Sequence, residues 1–441
     1  MISININDFI ARHVTERSES LFKTDLEENQ ALLQNRIDGR SVLVIGGAGT
    51  IGASFIKALL RFQPSRLYVV DINENGLTEL TRDLRSSLGL HIPTDYKTYP
   101  INFGEAVFKK LLQNEGPFDI IANFAAHKHV RSEKDHYSIE AMIENNVLRT
   151  KRLLEILSQH PPQHFFCVST DKAANPVNVM GASKKLMEEV LLTYAQQMPI
   201  TTARFANVAF SNGSLPDGFL QRLLKRQPLS APMDVKRYFV SPQESGELCL
   251  LACVLGEPAD IFFPKLAETQ MKTFSDIGTA LLRDLGYEPY FCETEEEARE
   301  WESTVNSRKS IVNSQQSDIE RSEIPLHGGT KYQISDNPKP QTSNLQTLYP
   351  VYYFPSDTSG EKPFEEFYTT EETVDRQRFQ ALGIVKAQPN YTLAQLDVLF
   401  SKIHQLFQNQ STNKHSIVQL LTELLPNFQH IETGKNLDQK M

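Results

Sequence analysis

Apolar and polar residues follow different rhythms in different parts of this chain. Residues 1–40 are polar with a helical bias, and Ile10, Val14 and Leu21 are too sparse to build a core alone. From Ser41 onward, short apolar runs alternate with amphipathic stretches. Ser41–Gly47 (SVLVIGG) predicts a buried strand, and Ile51, Phe55 and Leu59 then recur at helical spacing. Arg66–Asp71 (RLYVVD) predicts a second strand and Phe118–Ala126 (FDIIANFAA) a third, followed by a long helix on Ile139, Ile143, Val147, Leu154 and Leu157. His164–Thr170 (HFFCVST) predicts a fourth strand, residues 182–196 a helix, and Ile200–Val208 (ITTARFANV) a fifth strand. Such alternation predicts an α/β fold, a doubly wound parallel sheet with helices on both faces.

After Asn212 the rhythm weakens, and Ala259–Leu266 (ADIFFPKL) is one of few apolar runs. Residues 292–348 are polar and read as a linker or solvated insert. From Thr392 the tail carries two amphipathic patterns, LAQLDVLFSKIHQLF and SIVQLLTELL. The expected organisation is a helical arm over 1–40 and a dinucleotide-binding domain over 41–212. A smaller C-terminal α/β substrate domain over 213–290 is interleaved with the sheet, and a polar insert covers 291–350. Residues 351–441 complete the substrate domain and add the helical tail.

Composition narrows the function classes. The chain has 441 residues, 40% hydrophobic and 22% charged, which is ordinary for a soluble globular protein. Lysine and arginine total 45 against 54 acids, a net charge of −9 that argues against a general binder of nucleic acid or anionic membrane. A local basic pocket for one phosphorylated small molecule stays open. The four cysteines have no zinc spacing, and Cys249 and Cys253 read as buried helix thiols. His127 and His129 bracket Lys128 and read as structural, so no metal is expected. The N-terminus has acids where a signal peptide needs a basic start, and no apolar run approaches the ~18 residues of a membrane span. The expectation is a cytoplasmic protein with no membrane span.

The first strand runs directly into Gly46-Gly47-Ala48-Gly49-Thr50-Ile51-Gly52, which opens a helix. Gly46, Gly49 and Gly52 let the backbone approach a pyrophosphate, which then sits at the positive helix end beside Thr50 and Ile51. Asp71 ends the next strand, about 20 residues on, where a carboxylate can hold the adenosine ribose hydroxyls. A carboxylate there repels a ribose 2′-phosphate, so NAD is favoured over NADP.

Ser169–Lys184 (STDKAANPVNVMGASK) carries the remaining chemistry. Short-chain dehydrogenases place a Ser or Thr at this strand end and a Tyr-x-x-x-Lys on the next helix. Thr170 and Lys184 fit, but Met180 occupies the tyrosine position and a thioether cannot accept a proton. The whole segment resembles the nucleotide-sugar dehydratases of polysaccharide biosynthesis, the UDP-N-acetylglucosamine 4,6-dehydratase group of extended short-chain dehydrogenase/reductases. That family carries either Tyr or Met there. Ala125–Val130 (AAHKHV) resembles its AAxKHV, Asn146-Val147 with Thr150 its NVxGT, and Arg204–Val208 with Ser211–Ser214 its RFGNVxxSxGS. Arg237–Phe239 resembles its RYF, and Gly360–Lys362 with Glu365-Glu366 its GEKxxEE. The likeness covers residues 41–270 well and 358–367 in patches.

The resemblance implies a Rossmann-type fold, bound NAD with Ala125 and Ala126 against it, and loss of water from a UDP-N-acetylhexosamine, first of all UDP-GlcNAc. It implies Asp171 as the acid at C6, Lys172 as the base at C5, Thr170 on the C4 oxygen and Lys184 on the nicotinamide ribose. Lys172 must then be largely neutral, which requires burial or a nearby cation. Lys128, Asn207, Ser214 and Arg237 are expected around the substrate, and Lys128, Lys172, Lys184, Arg204 and Arg237 together are expected to line a basic pocket. Members of this fold commonly pair, so a homo-oligomer (a dimer or higher) is expected. Two other readings stay open: a nucleotide-sugar epimerase on the same fold, and a non-catalytic NAD-binding regulatory protein.

Overall fold

A computed structural model describes residues 2–301, 333–334, 347–357 and 359–434. Its largest element, among the described residues, is a nine-stranded sheet. In chain order the strands are β1 (Ser41–Ile45), β2 (Arg66–Val70), β3 (Asp95–Tyr99), β4 (Ile120–Asn123), β5 (His164–Val168), β6 (Ile200–Ala203), β7 (Asp260–Pro264), β8 (Val374–Asp375) and β9 (Leu382–Lys386). Across the sheet the order is β8-β9-β7-β6-β5-β4-β1-β2-β3. The pairs from β7 through β3 are parallel, whereas β9 runs antiparallel to β7 and to β8. This is the doubly wound Rossmann order with a reversed edge, whose strand order changes direction beside β1.

Both faces of the sheet are covered, which is why its central strands read as unbroken apolar runs. Successive side chains point to opposite faces. Val42 and Val44 therefore enter one core, with Phe55, Leu59 and the Leu248–Leu255 run, while Leu43 and Ile45 enter the other. The first core also takes Phe22, Leu33 and Ile37 from the N-terminal arm. Cys249 and Cys253 are buried there, inside the helix Pro242–Leu255. The second core is closed by the two tail helices, Leu393–Gln408 and Lys414–Leu424, through Leu396, Phe400, Ile403, Ile417 and Leu421.

A smaller parallel sheet joins Leu229–Pro232, Tyr287–Phe291 and Thr347–Phe354, with Phe9, Ile10 and Val14 of the arm packed into its core. The sparse apolar positions of residues 1–40 thus serve two existing cores. Within the segment 351–441, residues 351–354 pair in the smaller sheet, whereas β8 and β9 extend the large one. Leu382, Ile384 and Val385 are as buried as any central strand, and pairing with β7 satisfies their backbone. Of the polar stretch 291–350, residues 302–332 and 335–346 lie outside the described residues.

Arg204 departs from expectation. It does not line a basic pocket but is fully buried, its guanidinium gripping Glu188 at 2.8 and 2.9 Å and Glu372 at 2.7 and 2.8 Å. Burial opposes its charge, but the two carboxylates outweigh burial and hold its proton above the usual arginine range, while Glu188 is held below the usual carboxylate range. Arg204→Met should leave Glu188 charged in the core with only Ser169 and the more distant Lys185 as partners, and cost about 3–5 kcal/mol in denaturant unfolding. A variant as stable as the parent would show that the pair holds nothing together.

Candidate active site

The C-terminal ends of β1, β4 and β5 face the crevice where this fold binds its ligands. Gly46 leaves β1 with φ +76, and a Cβ there would stand 2.4 Å from the Ala125 nitrogen. The loop after β4 therefore lies directly against the glycine loop. Gly52 is equally constrained, since its Cβ would come 2.4 Å from the Gly46 oxygen. The helix Thr50–Leu59 starts at Gly49, which has no side chain to cap it, so the first-turn N–H groups of Thr50, Ile51 and Gly52 are left for an outside acceptor. Asp71 accepts from the Ala48 and Asn73 N–H groups at 2.9 Å each, so its carboxylate braces the loop it is expected to serve. These residues fit a dinucleotide pyrophosphate and ribose.

Thr170, Asp171 and Lys172 follow β5. The Asp171 N–H donates to the Phe205 oxygen at 3.1 Å, which fixes the turn. Asp171 Oδ1 accepts from Thr170 Oγ1 at 2.9 Å, from the Lys172 N–H at 2.9 Å and from Lys172 Nζ at 3.0 Å. Lys172 Nζ also stands 3.7 Å from Glu365, which in turn is 3.9 Å from Arg237. Asp171, Arg237 and Glu365 are each no more than 4% exposed. Burial pulls the Lys172 pKa down, but Asp171 and Glu365 more than offset it and hold it above the usual lysine value. That direction runs against the neutral amine expected of a base, because two carboxylates face it and Arg237 opposes them only in part. Burial raises the Glu365 pKa, and although Lys172 pulls it back it stays above the usual carboxylate range.

Met180 and Lys184 lie on the helix Val179–Tyr194, one turn apart and both buried. Lys184 Nζ donates to the Val168 oxygen at 2.9 Å, at the end of β5, and burial pushes its pKa down. The helix start is held from outside the expected motif: the Val179 N–H donates to Glu133 at 2.7 Å, and Glu133 also contacts His430 of the tail. Asn146 sits in a wide helical turn over 144–148 and binds both backbone groups of His127. Its amide also donates to Ser183 Oγ at 3.1 Å.

The substrate candidates divide. Lys128 is exposed and donates to the Asn212 oxygen at 3.0 Å, and the Asn212 N–H donates to Thr50 Oγ1 at 2.9 Å, so Asn212 links Lys128 to the glycine loop. Ser214 instead caps the helix Leu215–Leu224. The Asn207 amide reaches the Tyr238 oxygen at 3.5 Å. Arg237 is not presented to a phosphate: Nη1 is spent on the Lys236, Lys362 and Pro363 oxygens, and Nη2 faces Glu361 and Glu365. Glu365 comes from 193 residues beyond Lys172 in the chain (365 − 172), and its motif was legible although its contact was not.

The family model described as "polysaccharide biosynthesis protein" matches residues 42–301, which spans β1 to β7 and the whole Thr170–Lys184 segment. The chain belongs to that family. An uncharacterized membrane protein of Methanocaldococcus jannaschii is 30% identical over 264 residues, covering 58% of this chain and 76% of its own. The probable polysaccharide biosynthesis protein EpsC of Bacillus subtilis is 28% identical over 239 residues, 54% of this chain but 39% of its own length. The X-ray structure of Pen from Bacillus thuringiensis superposes with a TM-score of 0.57 at 16% identity, covering 81% of this chain and 89% of that one, and so shares the fold. Among the described residues no helix is long and apolar enough to cross a membrane.

The glycine loop gives a direct check. Gly46→Ala should force the 124–126 backbone away and place alanine in a left-handed conformation, destabilising the protein by about 1–3 kcal/mol or more in thermal or denaturant unfolding. Unfolding indistinguishable from the parent would mean that the loops after β1 and β4 do not meet as described.

Proposed function

We propose that this chain is an NAD-dependent nucleotide-sugar 4,6-dehydratase acting on a UDP-N-acetylhexosamine, with UDP-GlcNAc the first candidate. The observation that carries this reading is the acid–amine pair of buried Asp171 and partly buried Lys172, held at 3.0 Å beside Thr170 at the end of a central strand. Oxidation or epimerisation at one carbon needs no such pair, whereas eliminating water across two neighbouring carbons needs one group to take a proton and another to give one. The family membership and the dehydratase-like motifs support the same reading, and the choice of UDP-GlcNAc rests on that resemblance alone.

NAD, when bound, supplies the hydride acceptor for C4 and the hydride returned to C6. The glycine loop and the helix start at Thr50 would hold its pyrophosphate, Asp71 its adenosine ribose, and Lys184 its other ribose. Thr170 would bind the C4 oxygen and pass its proton to Asp171, to which its hydroxyl already points. That route needs no side chain at Met180. The resulting C4 ketone acidifies the C5 proton, and Asp171 then protonates the departing C6 hydroxyl. Lys184, buried and bonded to the Val168 oxygen, would stand close to the C4 oxygen. Asp71 offers a carboxylate where NADP would place a phosphate, which supports NAD.

Incubation with a panel of UDP-, GDP- and CDP-sugars should give, from a UDP-N-acetylhexosamine, a product lighter by one water and carrying a ketone. Asp171→Asn should lower that turnover by about 10²–10⁴-fold. A product of unchanged mass would instead identify an epimerase, and tightly held NAD with no turnover would identify a regulatory protein.

A further inference from the structure

We propose that the tail segment 429–431, and His430 within it, is a positioning element for the catalytic turn and for the helix that carries Lys184; its consequence for turnover rests on the dehydratase reading above. The segment runs between two parts of the site. The Gln429 N–H donates to the Pro176 oxygen at 3.2 Å and the Ile431 N–H to the Val177 oxygen at 3.0 Å, while the Ile431 oxygen accepts from the Gly360 N–H at 3.0 Å. Asn178 closes the circuit, its side-chain amide donating to the Gly360 oxygen at 2.8 Å. Three distant stretches of chain therefore hold one another where the helix Val179–Tyr194 begins.

Between those two backbone bonds the His430 side chain reaches Glu133. Glu133 is buried, and its other oxygen accepts from the Val179 N–H at 2.7 Å. That N–H has no acceptor within its own helix, so an outside carboxylate satisfies it and also suits the positive helix end. Asn178 Oδ1 serves the same turn, accepting from the Gly181 N–H at 2.7 Å. Lys414 of the second tail helix stands 3.7 Å from Glu133 and also pairs with Glu432. A shift at this helix start reaches the reacting groups directly, because a Cβ on Gly181 would stand 2.6 Å from the Lys172 oxygen. Lys184 lies further along the same helix, with Nζ on the Val168 oxygen.

The tail does not need His430 in order to dock. Ile417, Leu421, Leu424, Leu425 and Phe428 are buried in the second core and supply the apolar area that holds it. Burial of that kind has no direction, so it fixes that the tail binds and leaves open where residues 429–431 lie against the turn. A hydrogen-bonded side chain has direction, and His430 joins the segment to the one carboxylate that caps Val179. His430 is thus a positioning residue, acting through Glu133 and the backbone of 176–181.

The test uses the full chain and two readouts. In amide hydrogen exchange, His430→Ala should speed exchange across 176–181 by about tenfold or more, while residues 417–425 keep the parent's rates. With NAD and UDP-GlcNAc, the same variant should lose about 10–10²-fold in kcat, with KM and NAD affinity within about twofold of the parent. His430→Gln keeps a donor for Glu133 and should recover most of both. In a Glu133→Ala background, His430→Ala should add little, because the two side chains act through one contact. Parent rates at 176–181, a parent-like kcat, or faster exchange spread equally over the tail helices would each overturn the assignment. If the parent forms no dehydrated product from any UDP-sugar, the dehydratase reading fails, while the exchange result still decides whether His430 holds the turn.

Discussion

Two positive and two negative groups, Lys172, Arg237, Asp171 and Glu365, lie together at the C-terminal end of β5, and all but Lys172 are buried. Burying any one of them alone would cost several kcal/mol, so each is tolerable only because the others are there. That mutual dependence explains much of the architecture around them. Residues 360–366 must cross the catalytic turn to deliver Glu365, and they are fastened to it by Lys362 on the Asn175 oxygen, Glu366 on the Asn175 amide and the Gly360 oxygen on Asn178. The tail then secures the same turn from outside, with the Gln429 and Ile431 N–H groups donating to the Pro176 and Val177 oxygens.

The parallel sheet was legible in the sequence because both of its faces are buried. Runs such as SVLVI, RLYVV and HFFCV have no polar face to confuse the period, and each is a strand within a residue or two of its expected bounds. Asp95–Tyr99 escaped notice because DYKTY is half-buried at the sheet edge and carries no apolar run. The arm was harder still. Phe9, Phe22 and Leu33 are fully buried, but in cores completed by distant segments, such as Leu248–Leu255 for Phe22 and Leu33 and Phe219 for Phe9, and such contacts leave no local periodicity.

The site divides along the same line. Thr170, Asp171, Lys172 and Lys184 lie within one short segment, so their identity and spacing were readable together. Their charge states were not, because Lys172 depends on Glu365 and Glu365 on Arg237, from three separate parts of the chain. Arg204 shows the reverse error: counted as a pocket cation from its motif, it is a core residue paired with Glu188 and Glu372. An arginine near a ligand-binding strand end carries no sequence mark that says which way it points.

The claim that unites these observations is that the acid–amine cluster uses a ketone formed at C4 to drive loss of the C6 hydroxyl. The most direct measurement is the fate of deuterium placed on C4 of UDP-GlcNAc. Dehydration through this cluster predicts that the label reappears on C6 of a 4-keto product within the same molecule. Label retained on C4, whether in unreacted substrate or in an epimer, would contradict the account.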